Sequence, residues 1–375
     1  MKKHVLPPGA RPHSPWRGSG LTRKHERAFF WISRILILAV LTGWSISIIE
    51  LRSSGPSTPS AGPAEGRVSS PIARSIIDGS KRATPFINEA ALEFFDPLRG
   101  ESGELEAAFR LPGRDVARTS DPQMKLRFGE KVAGNFAAPS DPGVYKLAVQ
   151  IDRITREISD LRVITLVPFE QKERGRIGTY TVGTWPFENG GKPKSERYAN
   201  PSGFIEVTLQ NRDTKVSQHF KLRDFLTKDQ PTVWPKYLLL DPLLLDKLEL
   251  TIQELKKQGY KVEHVTVMSG FRTPRYNHSG GNVAGRANLS RHMYGDAADV
   301  FVDNDRNGST DDVNRDGRVD LGDTEVVSRA AERVEREHPS LVGGIGTYAA
   351  CCGHGPFTHV DVRGYRARWR GSGNG

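Results

Sequence analysis

Cysteine is nearly absent: the 375-residue chain has two, Cys351 and Cys352, side by side. Adjacent cysteines cannot staple long loops, and they cannot supply the paired C-x-x-C knuckles of a zinc ribbon. They form a vicinal disulfide or stay as packed thiols. Surplus charge is also scarce over most of the chain. The formal net charge is +10, yet residues 1–52 hold nine Lys/Arg against Glu26 and Glu50, and the remainder is close to balance. The high isoelectric point therefore belongs to the amino terminus, and no nucleic-acid partner is expected. Apolar residues make up 37% of the chain, enough to fill cores and to exclude a disordered or collagen-like protein.

The apolar run that stands out is Ala28 to Ile49, 22 residues interrupted only by the charge of Arg34. At about 1.5 Å per residue it spans a bilayer core of about 30 Å. Arg34 is near enough to one end to snorkel, and Trp31 and Trp44 suit interfacial positions. Residues 1–27 carry seven Lys/Arg and one acid, which places that basic tail in the cytoplasm and everything after residue 50 outside. A cleaved signal would have a shorter apolar core and an A-x-A site, so residues 28–49 are expected to be an uncleaved single-pass anchor.

Residues 50–85 are rich in Ser, Pro and Gly and read as a flexible tether. Residues 86–235 alternate apolar and polar side chains in short runs (Tyr145–Ile151, Leu161–Val167, Gly178–Val182, Phe204–Gln210) between Gly, Pro and Asn turns. That pattern predicts an antiparallel β module without a catalytic constellation. Leu243 to Gln258, ending at Gly259, is an amphipathic helix that opens a last domain, residues 236–375. The expected class is α+β: an antiparallel sheet with helices, preceded by the β-rich module, the tether and the membrane helix.

Three segments of the last domain carry chemistry. Val267–Asn277 (V-M-S-G-F-R-T-P-R-Y-N) presents Arg272 after a Gly turn; Ser290–Asp299 (S-R-H-M-Y-G-D-A-A-D) runs into the apolar strand Val300–Val302; Phe357–Gly364 (F-T-H-V-D-V-R-G) follows Gly343–Tyr348. Asp299 heads a strand that reads as buried, and a desolvated carboxylate needs a cation or strong donors. His292, Asp299 and His359 together make three protein ligands, leaving a fourth zinc position for a water whose pKa would fall to about 7.

The series S-G-F-R-T-P, S-x-H-x-x-G-x-A-x-D, G-I-G-x-Y and H-V-D-V-R-G resembles the M15 peptidase family, the zinc D,D-carboxypeptidases and endopeptidases of bacterial cell walls, which share a fold with the Hedgehog signalling domain. The resemblance covers residues 236–369. It implies His292, Asp299 and His359 as zinc ligands, Arg272 as the cation that binds substrate or steadies the oxyanion, and peptidoglycan peptides as the partner. Many relatives place a Glu or His base two or three residues before the last ligand, where this chain has Phe357 and Pro356. The base must come from elsewhere, and the candidates are Asp361, favoured because it shares a strand face with His359, and His354 in the C-C-G-H-G-P loop. Asp361 would orient either the attacking water or the ligand imidazole. The rival reading is a non-catalytic zinc- and calcium-binding envelope module of the same fold.

An acidic insert, residues 303–323, holds seven aspartates. From Asp312, oxygen-bearing side chains fall at the calcium-loop positions 1, 3, 5, 9 and 12: Asp312, Asn314, Asp316, Asp320 and Asp323, with Gly317 at the sharp turn. An overlapping start at Asp303, Asp305, Asn307 and Gly308 suggests a second ion. Expected cofactors are thus Zn2+ and Ca2+.

Overall fold

In this computed structural model the described residues are 95–117, 124–133, 136–151, 154–280, 286–351 and 353–371. The expected basic tail, membrane span and tether lie outside them; among the described residues no helix is long and apolar enough to cross a membrane.

The first sheet uses β1 (Ala107–Arg110), β2 (Met124–Phe128), β3 (Lys131–Ala133), β4 (Gly143–Ile151) and β5 (Ile154–Thr165), in the order β1-β5-β4-β2-β3. The alternating runs read in the sequence become the long antiparallel pair of β4 and β5, with Leu147, Val149, Leu161 and Val163 turned inward. They meet Phe95, Leu126 and Phe128 in a small core of their own. β1 departs from the expected antiparallel pattern: it runs parallel to β5.

Next come β6 (Val167–Pro168), the ribbon β7 (Arg176–Ile177) and β8 (Tyr180–Thr181), β9 (Gly203–Val207) and β10 (Lys236–Leu238). The expected division between residues 235 and 236 falls at a joint that the fold keeps closed. β10 pairs with β9 from Lys236↔Val207 to Leu238↔Ile205. Trp185, Phe204, Phe220 and Phe225 share one core with Leu244, Leu248, Val300 and Val360. The physical reason is area: among residues 166–235 the strands are three of two residues and one of five, too little to bury four aromatics alone.

The last sheet follows helix α1 (Pro242–Lys257). Asp241 caps α1 by accepting from Leu243 N at 2.9 Å, Pro242 fills its first turn and Lys256 and Lys257 its last. Leu244, Leu245, Leu248, Ile252 and Leu255 form its buried stripe. Then come β11 (Val265–Ser269), α2 (Pro274–Ser279), β12 (Ala297–Val302), α3 (Leu321–Glu337), β13 (Gly344–Tyr348), β14 (Phe357–Asp361) and β15 (Ala367–Gly371). The order is β11-β12-β14-β13-β15, antiparallel except for the parallel β13–β15 pair. Side chains alternate across it: Val300, Val302 and Val360 join Leu248, Ile252 and Val327 of the two helices in an apolar layer. Asp299, His359 and Asp361 have the opposite parity and point to the other face. Between the helices Lys247 is fully buried, its Nζ donating to Glu335 Oε1 at 2.6 Å and to the Asp361 carbonyl at 2.7 Å.

Candidate active site

Asp299 and His359 are direct cross-strand partners on β12 and β14. His292 arrives from a 3-10 turn, Arg291–Tyr294, which ends at Gly295 with φ +71°. A Cβ at Gly295 would stand 2.4 Å from the Leu239 carbonyl carbon, so only glycine lets the turn close here. The His292 Nδ1 lies 2.7 Å from the Gly270 carbonyl, which can only accept; Nδ1 therefore carries the proton and Nε2 points inward with its lone pair.

Three candidate ligand atoms converge. His292 Nε2 is 3.3 Å from His359 Nδ1 and 3.3 Å from Asp299 Oδ1, and the last two are 2.8 Å apart. A tetrahedral zinc with bonds near 2.0–2.1 Å has ligand–ligand edges of roughly 3.3 Å. All three residues are buried, and together they form a group able to hold one metal ion. Their electrostatics agree. Burial and the neighbouring Arg272 hold the His292 imidazole down at about 4, so it is neutral. Burial raises Asp299, but His292, His359 and Arg272 outweigh it and keep the carboxyl ionised, well below the usual carboxylate range. Burial likewise lowers His359, yet Asp299 and Asp361 prevail and set it at about 9. Without a metal, a proton on His359 is what keeps the facing lone pairs together; a divalent ion would take its place.

Residues 240–324 match the family model described as Peptidase M15. The carboxyl-terminal region carries a Peptidase M15 domain. The match contains His292 and Asp299 and stops before His359, which the sheet brings to them. No curated protein and no solved structure matches the chain. Peptidases of this family are zinc-dependent, and His292, Asp299 and His359 form a group that could bind a metal ion.

The metal group lies in the wall of an open cavity that Arg272, Arg286, Tyr348, His354, Arg363 and Trp369 also line. Arg272 donates from Nη2 to Asp299 Oδ2 at 2.7 Å and from Nε to Ser269 Oγ at 2.9 Å, so its charge is shared with a ligand rather than free for substrate. Arg286 is different: its Nη1 donates to the carbonyls of Tyr276 and Gly280, both at 2.7 Å, and among the described residues it meets no carboxylate. His354 is half-buried, 5.1 Å edge-to-face from the Phe357 ring, with Nδ1 2.8 Å from the Gly355 carbonyl. Its Nε2 is the atom left for the cavity.

Asp361 does not sit where a water-activating base would. It is fully buried and lies behind His359, with Oδ2 3.1 Å from His359 Nε2. Its Oδ1 accepts from Gly344 N at 2.7 Å, and the Arg363 guanidinium grips both oxygens. Burial raises this carboxyl, but His359 and Arg363 dominate and hold it far below the ordinary range. Sharing a strand face with His359 brought Asp361 to the imidazole as expected, but to the ring nitrogen on the far side from the metal group.

Sequence reasoning missed Trp369, Tyr348 and Arg286. Trp369 lies 5.1 Å from the His359 ring and donates from Nε1 to Tyr348 Oη at 2.8 Å. Gly346 faces His359 on one side and Trp369 on the other, and a Cβ there would stand 2.3 Å from the indole. The small residue in G-I-G-x-Y was the one available signal of a large neighbour.

The expected calcium set does not assemble. Asp320 caps α3 by accepting from Gly322 N, and Asp323 accepts from the backbone of Val313, Asn314 and Asp320. Both Asp312 oxygens are taken by backbone N–H groups of Asp316 and Gly317, and Asn314 and Asp316 accept from Asp316 N and Arg318 N. Among the described residues Asp312, Asp316, Asp320 and Asp323 form no group of three whose oxygens lie within 4.8 Å of one another. The described acidic groups that come within 4.8 Å of one another are Asp303, Asp305 and Asp311. Cys351 is disulfide-bonded.

Proposed function

We propose that this protein is a membrane-anchored zinc peptidase that hydrolyses peptide bonds in peptidoglycan stem peptides or their cross-links, with its folded part outside the cytoplasmic membrane. The observation that carries the reading is the convergence of His292 Nε2, Asp299 Oδ1 and His359 Nδ1 on the wall of an arginine-lined cavity. His292, Asp299 and His359 would hold zinc, which when bound would supply Lewis acidity toward a water and a peptide carbonyl. His354, on the same wall, handles the proton. Arg286 receives the carboxylate that ends a stem peptide, because a planar guanidinium without an acidic partner suits that group. Arg272 keeps Asp299 ionised and lends positive charge where an oxyanion develops. Asp361 positions His359 by accepting its Nε2 proton, so that Nδ1 presents a lone pair to the metal. The placement of residues 28–49 as an anchor rests on their length and apolarity.

The test is incubation of the full-length chain with purified sacculi and with a peptide ending in D-Ala-D-Ala, with and without a zinc-selective chelator. Chelator-sensitive release of product, abolished by His292→Ala and reduced by His354→Ala, is expected. Binding of sacculi without release by zinc-loaded protein would instead establish the non-catalytic envelope module.

A further inference from the structure

The acidic insert is a tandem repeat of nine residues. D-N-D-R-N-G-S-T-D (303–311) is followed at once by D-V-N-R-D-G-R-V-D (312–320). The backbones repeat as well: Arg306 and Arg315 have φ +59° and +60°, and Gly308 and Gly317 have φ +82° and +84°. The two copies nevertheless spend their first aspartate differently. Asp312 gives both oxygens to N–H groups of its own loop. Asp303 stands at the end of β12 and is only 2% exposed. Its Oδ2 accepts from Thr266 Oγ1 at 2.8 Å and from Gly308 N at 3.2 Å, but its Oδ1 is buried with no hydrogen-bond partner among the described residues. A desolvated carboxylate oxygen is costly unless a donor or a cation meets it. Asp305 and Asp311 each bring a carboxylate oxygen within 4.8 Å of one from Asp303. Asp305 and Asp311 also line an open cleft together with Asn304, Asp312, Lys261 and Arg315.

We infer that the first repeat, residues 303–311, binds a calcium ion through Asp303, Asp305 and Asp311. The donors are all oxygen, which selects a hard cation. Their order follows positions 1, 3 and 9 of a calcium loop, with Asn307 at 5 and Gly308 at the sharp turn. The loop is already closed for this purpose, since Asp311 N donates to the Val302 carbonyl at 3.0 Å and Asp303 N to the His264 carbonyl at 3.0 Å. It also touches the catalytic wall: Thr310 Oγ1 donates to the Pro356 carbonyl at 2.5 Å, between His354 and His359. Calcium in this loop therefore steadies the segment that delivers the third ligand of the zinc group. That second part rests on the metal reading of the site; the calcium site itself does not.

Full-length protein freed of calcium and titrated calorimetrically with calcium chloride, then with magnesium chloride, tests the assignment. The expected result is saturable calcium binding, at least tenfold tighter than magnesium. Asp305→Asn combined with Asp311→Asn should weaken it at least tenfold, whereas Asp316→Asn in the second repeat should not. Asp305 is exposed, and among the described residues its hydrogen bonds are with Asn307 of its own loop, so the single Asp305→Asn variant serves if the double one fails to fold. Absence of calcium binding by folded wild type, equal affinity for magnesium, or loss of binding in Asp316→Asn with retention in Asp305→Asn would each overturn the assignment. Coupling is read separately as zinc loss to a competing chelator: calcium should slow it several-fold in wild type and leave it unchanged in Thr310→Val. Equal rates with and without calcium in wild type would refute the coupling alone.

Discussion

Replacing Asp361 by asparagine separates two roles that a buried carboxylate beside a ligand histidine can play. The substitution keeps volume and shape but removes the charge that accepts from His359 Nε2 at 3.1 Å. With Nδ1 committed to the metal group, Nε2 must carry the proton, so the bond is a charge-assisted one and roughly twice as strong as its neutral counterpart. Loss of such an outer partner of a ligand histidine typically weakens metal binding about 10–100-fold, or about 1.4–2.7 kcal/mol. Competition with a chromogenic zinc chelator measures this directly, and circular dichroism of the metal-free variant checks that it remains folded without the Arg363 pairing. If Asp361 were instead the water-activating base, zinc affinity would stay at the wild-type level while turnover fell by about 10²–10⁴. Zinc affinity within twofold of wild type would refute the positioning role.

Two further outcomes follow from the buried charges. Lys247→Met removes an ammonium that burial already holds below the usual lysine range and that bonds Glu335 and the Asp361 carbonyl. A loss of about 3 kcal/mol is expected, at the low end for a broken buried pair because Arg368 still meets Glu335, and denaturant midpoints showing less than about 1 kcal/mol would contradict it. In metal-free protein the His359 imidazole, at about 9, binds its proton more tightly than in the unfolded chain, where about 6.5 applies. That contribution is complete below about pH 6.5 and is lost as pH rises through about 9. Melting temperatures of zinc-stripped protein should therefore decline across that window, and zinc-loaded protein, whose imidazole has already given up the proton, should not share the decline.

The His-Asp-His group was legible because each member sits in a dense local pattern: His292 before a glycine that must turn, Asp299 as an acid heading a buried strand, His359 in a short apolar run. Their meeting depends on one strand pairing, Asp299 with His359, which the spacing of apolar residues favours. What stayed hidden depends on longer-range geometry. Strand parity put Asp361 on the correct face but could not say which imidazole nitrogen it would reach. Trp369 reaches His359 only because β15 runs parallel to β13, a pairing no local pattern announces. The expectation of a calcium set at Asp312 rested on acids at positions 9 and 12, yet Asp320 and Asp323 form the capping box that starts α3. The division at residue 235 failed for a related reason: β10 looks like the start of something new, while its hydrogen bonds belong to β9.

That shared sheet has a practical corollary for how this enzyme body can be moved or shortened. Trp185 Nε1 donates to the Met293 carbonyl at 2.9 Å, Arg275 N to the Val182 carbonyl at 3.0 Å and Phe271 N to the Phe225 carbonyl at 2.9 Å. Each of these ties residues upstream of 236 to the turns bearing Arg272 and His292. A fragment cut at residue 236 would leave those turns without their outer brace and a sheet edge open to other chains. The smallest transplantable hydrolytic unit is accordingly longer than its family signature, and its upstream third is part of the machine rather than its handle.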